Sequence, residues 1–396
     1  MNLPRGFVAS GVRAGIRKKR QPDVALLVAE DVASAAAIFT RNRYLAAPVV
    51  VAKAALRNSG GRVKGVVVNS GCANAITGAP GMAAARRVQE RAAELLSCPK
   101  DQVFVASTGV IGVLLPDELI RQALPGAVTR LSAGGLDAAS RAILTTDVGP
   151  KIAQATYTWQ GKKGRVVGVA KGAGMIHPNM ATMLAFVMTD APATPAFLKE
   201  VLLGSAKVSF NAISVDGDTS TNDTLLLMAS GKLGGEEMTS VAAAEAASFV
   251  KAVTQVCKEL AWMIVRDGEG ASRVMEIQIH GARSDRDAEL AAYAVATSPL
   301  VKTALAGGDP NWGRILAAVG RSGATFAPSK SSLAVGSLTL VRDGVPAPYA
   351  EKDAAKEFLK ERVPVLITLG NGPGTATRLS SDLGHAYVSL NAEYRT

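Results

Sequence analysis

The sequence predicts a chain of mixed α/β (α+β) class. Three observations carry that reading. Short apolar, β-branched runs alternate with Ala-rich stretches of helical spacing. Several strand-like runs follow one another late in the chain, which argues against a strictly alternating parallel fold. Finally, 48% hydrophobic and 19% charged residues over 396 positions is too apolar for a disordered chain. That length also buries a substantial core without disulfide staples.

The elements follow in order. The cluster Arg17-Lys18-Lys19-Arg20 reads as a basic turn before a strand at 24–28. Strands are expected at 47–51, 64–69 and 103–106, each a short β-branched run. Residues 82–96 are rich in Ala and Arg with apolar helical spacing. Pro116 followed by Asp117 and Glu118 suits the first turn of a helix. Strands are expected again at 165–170, from Thr182 onward, and at 224–228, and 240–265 reads as one long helix or two joined ones. Met275, Ile277 and Ile279 alternate with polar neighbours, the pattern of a half-exposed strand. Ser284, with Asp287 three positions on, spells a helix start. Asp309-Pro310-Asn311-Trp312-Gly313-Arg314 reads as a rigid turn before a further helix. The last expected strands are 338–342, ending at the turn pair Asp343-Gly344, then 365–369 and 386–390.

Composition excludes several classes. Lys+Arg 44 against Asp+Glu 33 gives +11, a general attraction for anions. Aromatics are only 5% and form no stripe among the basic residues, so nucleic acid is not an expected partner. No apolar run reaches the roughly 18 residues of a membrane span. The opening MNLPRGFVASGV lacks a signal-type apolar core. Cys72, Cys98 and Cys257 are far apart and form no C-x-x-C pair, so they are expected to be reduced, small buried hydrophobes in a cytoplasmic protein. His177, His280 and His385 share no ligand-like spacing with another His or Cys, and no metal site is expected. The acidic run from Asp216 to Asp223 lacks the EF-hand pattern and reads as a hydrogen-bonded turn.

The most unusual stretch is Lys171-Gly172-Ala173-Gly174-Met175-Ile176-His177-Pro178-Asn179-Met180-Ala181-Thr182-Met183-Leu184. Its glycines permit a sharp backbone path. At its end a small residue, Ala181, precedes a hydroxyl residue, Thr182, where loop becomes strand. A self-cleaving peptide bond needs that arrangement: the hydroxyl attacks the Ala181 carbonyl, the acyl group shifts from nitrogen to oxygen, and water opens the ester. Thr182 would then carry a free α-amine, of pKa about 7.7–8.0, able to act as base for its own hydroxyl. This chemistry requires neither histidine nor metal. The same residues also spell a Gly-rich turn before a strand whose Thr merely caps or packs, and locally both readings stand.

The segment resembles the signature of the ornithine acetyltransferases, K-G-[AS]-G-M-I-x-P-[NK]-M-A-T-M-L. Further matching blocks run in order along nearly the whole chain. They include Phe39-Thr40-Arg41-Asn42, Asn69-Ser70-Gly71-Cys72-Ala73-Asn74, Ser107-Thr108-Gly109 and Thr145-Thr146-Asp147. Later blocks are Asp216-Gly217-Asp218-Thr219-Ser220-Thr221-Asn222-Asp223, Arg266-Asp267-Gly268-Glu269-Gly270 and the closing Leu390-Asn391-Ala392-Glu393-Tyr394-Arg395-Thr396. Arg273, where Lys is common, is a departure that keeps the charge.

The resemblance implies the fold of self-cleaving N-terminal-nucleophile enzymes, sheets sandwiched with helices, with an α chain of residues 1–181 and a β chain of 182–396 forming one interlocked unit. It implies Thr182 as nucleophile, Thr108 and Gly109 as oxyanion hole, and Thr145, Lys171, Thr182, Glu269, Asn391 and Thr396 as substrate contacts. The implied reaction is ping-pong transfer of acetyl from N-α-acetylornithine to glutamate, in arginine biosynthesis, by an α2β2 heterotetramer. No cofactor is expected. The family divides over acetyl-CoA as an additional acetyl donor, and no phosphate-cradling loop here decides it. An amidase or aminopeptidase on the related self-cleaving fold, with water as acceptor, is the alternative. A non-catalytic binding protein is a third reading, opposed by the intact Thr108-Gly109, Lys171 and Ala181-Thr182 set.

Overall fold

The computed structural model describes residues 2–18, 21–177 and 183–393. Its strands, in chain order, are β1 (Phe7–Val12), β2 (Val24–Phe39), β3 (Arg62–Cys72), β4 (Val103–Val110), β5 (Lys151–Trp159), β6 (Lys162–Lys171), β7 (Leu184–Thr189), β8 (Ile213–Ser214), β9 (Thr224–Ala229), β10 (Val274–Ala282), β11 (Ser332–Val335), β12 (Leu338–Arg342), β13 (Val345–Pro346), β14 (Arg362–Thr368) and β15 (Gly374–Ser381). The helices are α1 (Ala47–Asn58), α2 (Gly78–Leu95), α3 (Asp117–Thr129), α4 (Leu136–Ala142), α5 (Pro195–Lys207), α6 (Ala247–Arg266), α7 (Asp285–Ala296), α8 (Pro299–Gly307), α9 (Trp312–Gly320), α10 (Glu351–Phe358) and α11 (His385–Glu393).

These strands form two mixed sheets. The first runs β4-β3-β2-β9-β7-β6-β5, with β1 paired to the opening half of the long β2. At its centre β7 and β9 lie parallel, flanked by β6 and β2, each antiparallel to its neighbour. The second sheet runs β13-β12-β11-β14-β10-β15-β8 and draws only on residues after 212.

Alternation sorts each strand of the first sheet between two cores. In β9, Leu225 and Leu227 face a core shared with Phe197 of α5 and Phe249 of α6, while Leu226 and Met228 face the opposite core with Phe186 and Phe104. In β2, Leu27 and Ala29 join that second core, and Leu26 and Val28 turn towards α1, α2 and α3. A sheet buried on both faces takes near-continuous apolar strands. The second sheet instead has its core on one face. Met275, Ile277 and Ile279 pack against Ala288, Ala291, Ala292 and Val295, while Glu276 and Gln278 stay half-buried. The expected half-exposed strand is therefore present as read.

Three expectations are corrected. Residues 47–51 form the start of helix α1, not a strand. Pro48 sits in the first turn, and Val49, Val51, Ala52 and Ala55 make a buried stripe that leaves Val50 outside. The β-branched run had suggested a strand, and tertiary packing overrides that weak preference. Residues 386–390 belong to helix α11 rather than a strand, with Val388 and Leu390 exposed. The long helix begins at Ala247, after a short turn at Ala244–Ala246, and not near Ser240. Elsewhere Ser284 caps α7 by accepting the Asp287 N–H, and Asn311 caps α9 by accepting the Arg314 N–H. Cys72 and Cys257 are buried and Cys98 half-buried, all as free thiols.

Candidate active site

The site is assembled where several strand ends meet. β3 and β4 run parallel, and their registers bring Gly71 opposite Gly109. Gly109 has φ +132°, and a Cβ there would stand 2.3 Å from the Gly71 carbonyl carbon and 2.5 Å from the Cys72 nitrogen. Only glycine fits that close approach. Thr108, immediately before it, is nearly buried. Asn222 braces this end: its amide donates to Ala73 O at 2.7 Å and to Ser107 O at 2.8 Å.

β6 ends at Lys171, whose side chain is buried. Its ammonium donates to Thr145 Oγ1 at 2.8 Å and to Thr108 Oγ1 at 3.3 Å. The Asp147 carboxylate stands 3.9 Å from it and also pairs with Lys151 at 2.7 Å. Burial pushes the Lys171 ammonium below its ordinary value against the raising field of Asp147. Burial pushes the Asp147 carboxyl up, but Lys171, Lys151 and the Gly172 N–H outweigh it and hold the group well below the usual carboxylate range.

Glu269 comes from the turn after α6. Its own N–H donates to Ala173 O, and its carboxylate accepts the Asn391 amide of α11 at 2.8 Å. Asp216 accepts the backbone N–H groups of Met175 and Ile176, and burial pushes its carboxyl up to about 6. Tyr387 of α11 reaches Asp216 at 3.4 Å. Behind these, fully buried Asp223 accepts the Met183 N–H at 3.0 Å, and burial raises its carboxyl well above the ordinary value.

One cavity of about 230 Å³ is lined by Thr108, Gly109, Thr145, Lys171, Glu269 and Asn391 together. Every candidate site residue within the described residues thus reaches the same space. Ala181, Thr182 and Thr396 lie outside the described residues. Sequence reasoning missed Asp216, Asn222 and Tyr387, which also line the cavity, and behind it Asp147, whose side chain has no exposure, and buried Asp223. Asp147 sat in the quoted Thr-Thr-Asp block, and Asp216, Asn222 and Asp223 in the acidic run read only as a turn. That run is hydrogen-bonded, as expected, yet it also faces the cavity. His177 is buried away from the lining, with Nδ1 3.3 Å from Ser214 Oγ and Nε2 3.0 Å from Tyr293 OH.

A small cavity that holds a buried ammonium, two hydroxyls and carboxylates within a mixed α/β scaffold has the form of an enzyme's small-molecule site. The chain belongs to the ArgJ family, whose profile matches residues 8–396. It is 46% identical over 397 residues to the arginine biosynthesis bifunctional protein ArgJ of Geobacter sulfurreducens, covering 100% of both chains. It is 45% identical to the protein of that name from Chlorobaculum tepidum, covering 99% of this chain and 96% of that one. The crystal structure of arginine biosynthesis bifunctional protein ArgJ from Bacillus halodurans superimposes with a TM-score of 0.51 at 38% identity, covering 53% of this chain and 98% of that one.

Proposed function

We propose that this chain is a glutamate N-acetyltransferase that takes acetyl from N-α-acetylornithine and passes it to glutamate within arginine biosynthesis. The observation that carries the reading is the convergence on one cavity of Thr108, Gly109, Thr145, Lys171, Glu269 and Asn391, drawn from five separate stretches of chain. The cavity's charges suit the donor. Lys171 supplies a cation for its α-carboxylate, and Glu269 with Asp216 supplies anions for its terminal ammonium.

The chain first cleaves itself between Ala181 and Thr182, giving an α chain of 1–181 and a β chain of 182–396. The Thr182 amine then takes the proton of its own hydroxyl, and Oγ attacks the acetyl carbonyl. Thr108 and the Gly109 N–H receive the oxyanion. The amide bond breaks, and ornithine leaves with the proton held by the amine. Glutamate nitrogen next attacks the acetyl-Thr ester and loses its proton to the same amine, the ester C–O bond breaks, that proton passes to Thr182 Oγ, and N-acetylglutamate departs. Thr145, Asn391 and Thr396 complete the substrate contacts. No cofactor enters these steps.

The length of the matched crystal chain supports cleavage near the middle. Its aligned part, 53% of 396 residues, is about 210, and a cut after residue 181 leaves 215. We read the working assembly as two α and two β chains in the cytoplasm. No helix among the described residues is long and apolar enough to cross a membrane.

The test is direct. Purified protein should give two bands on a denaturing gel, and Thr182→Ala one. Without glutamate the cleaved protein should release at most one equivalent of ornithine per site from acetylornithine, and with glutamate it should turn over. A single-chain preparation with full activity would overturn the mechanism, and acetate accumulating at the same rate without glutamate would make it a hydrolase. Glutamate acetylation with acetyl-CoA as sole donor tests the second activity that the word bifunctional implies in the relatives.

A further inference from the structure

Asp147 is a buried carboxylate to which the acyl-transfer scheme gives no task. Its side chain has no exposed surface. One oxygen accepts the Gly172 N–H at 2.7 Å and pairs with Lys151, and the other accepts the Thr145 N–H at 3.0 Å. It therefore fixes the backbone on both sides of Lys171's pocket, at Thr145 and just past the end of β6.

Its two lysine partners are not equivalent. Lys151 pairs with two carboxylates, Asp147 and Asp267. Among the described residues Lys171 has one carboxylate within 4 Å, Asp147, and otherwise the hydroxyls of Thr108 and Thr145. Among the described residues the further charges that act on it include Lys151, Glu269 and Asp223. An ammonium so buried keeps its proton only with a compensating anion close by.

The proton state of Lys171 decides what Thr108 can do. As an ammonium, Lys171 has no lone pair and must donate to Thr108 Oγ1. The Thr108 hydroxyl hydrogen is then free for another acceptor. As a neutral amine, Lys171 gains a lone pair able to accept that hydrogen and so withdraw it from the cavity.

We propose that Asp147 is the positioning residue of the acyl-transfer step: by holding Lys171 as an ammonium it turns the Thr108 hydroxyl hydrogen towards the oxyanion. The inference rests on the reading of Thr108 as an oxyanion donor and of Lys171 as the carboxylate partner. It makes Asp147 a regulator of both substrate binding and turnover without contact with substrate.

The experiment is the pH profile of kcat and kcat/KM for acetyl transfer to glutamate. The alkaline limb reports loss of the Lys171 proton. Asp147→Asn removes the supporting anion, so this limb should move down by about 1–3 pH units. Lys151→Met removes a repelling cation and frees Asp147 for Lys171, so the limb should move up. Opposite movements follow only from charge coupling, since loosened packing would shift neither limb or both alike. If Asp147→Asn fails to fold, the upward shift in Lys151→Met alone decides. In a Thr108→Val background, Asp147→Asn should cost no further kcat. An unmoved limb in either folded variant, or effects of Asp147→Asn and Thr108→Val that simply multiply, would overturn the proposal. Full activity in Thr108→Val and Lys171→Met would instead refute the underlying reading of the site.

Discussion

At Thr108 and Gly109 a hydroxyl and a positive-φ glycine lie side by side, and both were legible through the family resemblance rather than from the local residues alone. Lys171 was legible in the same way, from its place in the matched segment. The residues that set its charge were not. Asp147 is 24 positions away in sequence, and its importance comes from having no exposure and two lysines around it, which only the fold reveals. Asp216 was hidden for the same reason: an acidic run of ordinary appearance becomes unusual only when burial lifts one of its members. That lift carries a testable sign. The Asp216 carboxyl is raised from its ordinary 3.8 to about 6 by burial. It is therefore charged above about 6 and becomes neutral as pH falls through that value. If it helps hold a substrate ammonium, KM for acetylornithine should rise below pH 6, and Asp216→Asn should have the high KM at every pH. A wild-type KM that is flat from pH 5 to 8 would remove Asp216 from substrate binding.

Elements were legible where one face decides them. The half-buried β10 and the Ser284-capped α7 read correctly because alternation and capping are local signals. Helices α1 and α11 did not. In α1 a run of three valines imitated a strand, while the buried stripe that fixes the helix depends on neighbours far away in sequence. In α11 the alternating Ala386, Val388 and Leu390 imitated a strand but are bound to no sheet, and no residue of the helix is buried. Helix α11 therefore contributes little to the core and two side chains, Tyr387 and Asn391, to the cavity. Removing residues 385–396 should leave the melting temperature within a few degrees of wild type while raising KM for acetylornithine at least about tenfold, the loss of one charge-assisted hydrogen bond. A large drop in melting temperature with unchanged KM would show the helix to be structural instead.

On the scale of the molecule, class was readable and topology was not. Apolar runs announced strands, but nothing in them says that β9 lies between β2 and β7, since strand pairing over nearly 190 residues is not encoded in any local pattern. The +11 charge, first a general attraction for anions, finds one focus in Lys171 and is opposed inside the cavity by Asp216, Asp218 and Glu269. Local fields, not the net charge, set what the site can hold.

The central place of β7 and β9 has a kinetic meaning. Both lie after position 182, and on either side they are clasped by β6 and β2, which lie before it. A chain cut between these positions would stay whole under native conditions, held by two full strand interfaces. Once unfolded, however, it would have become two molecules. A folding reaction that was unimolecular in the precursor would turn bimolecular, so refolding of the cut protein should slow on dilution, whereas Thr182→Ala should refold at a rate independent of concentration. Equal rates for both would mean that the halves never separate or were never cut. Cleavage would act in this way as a ratchet: a single broken bond leaves the folded protein in place and removes the easy way back to it.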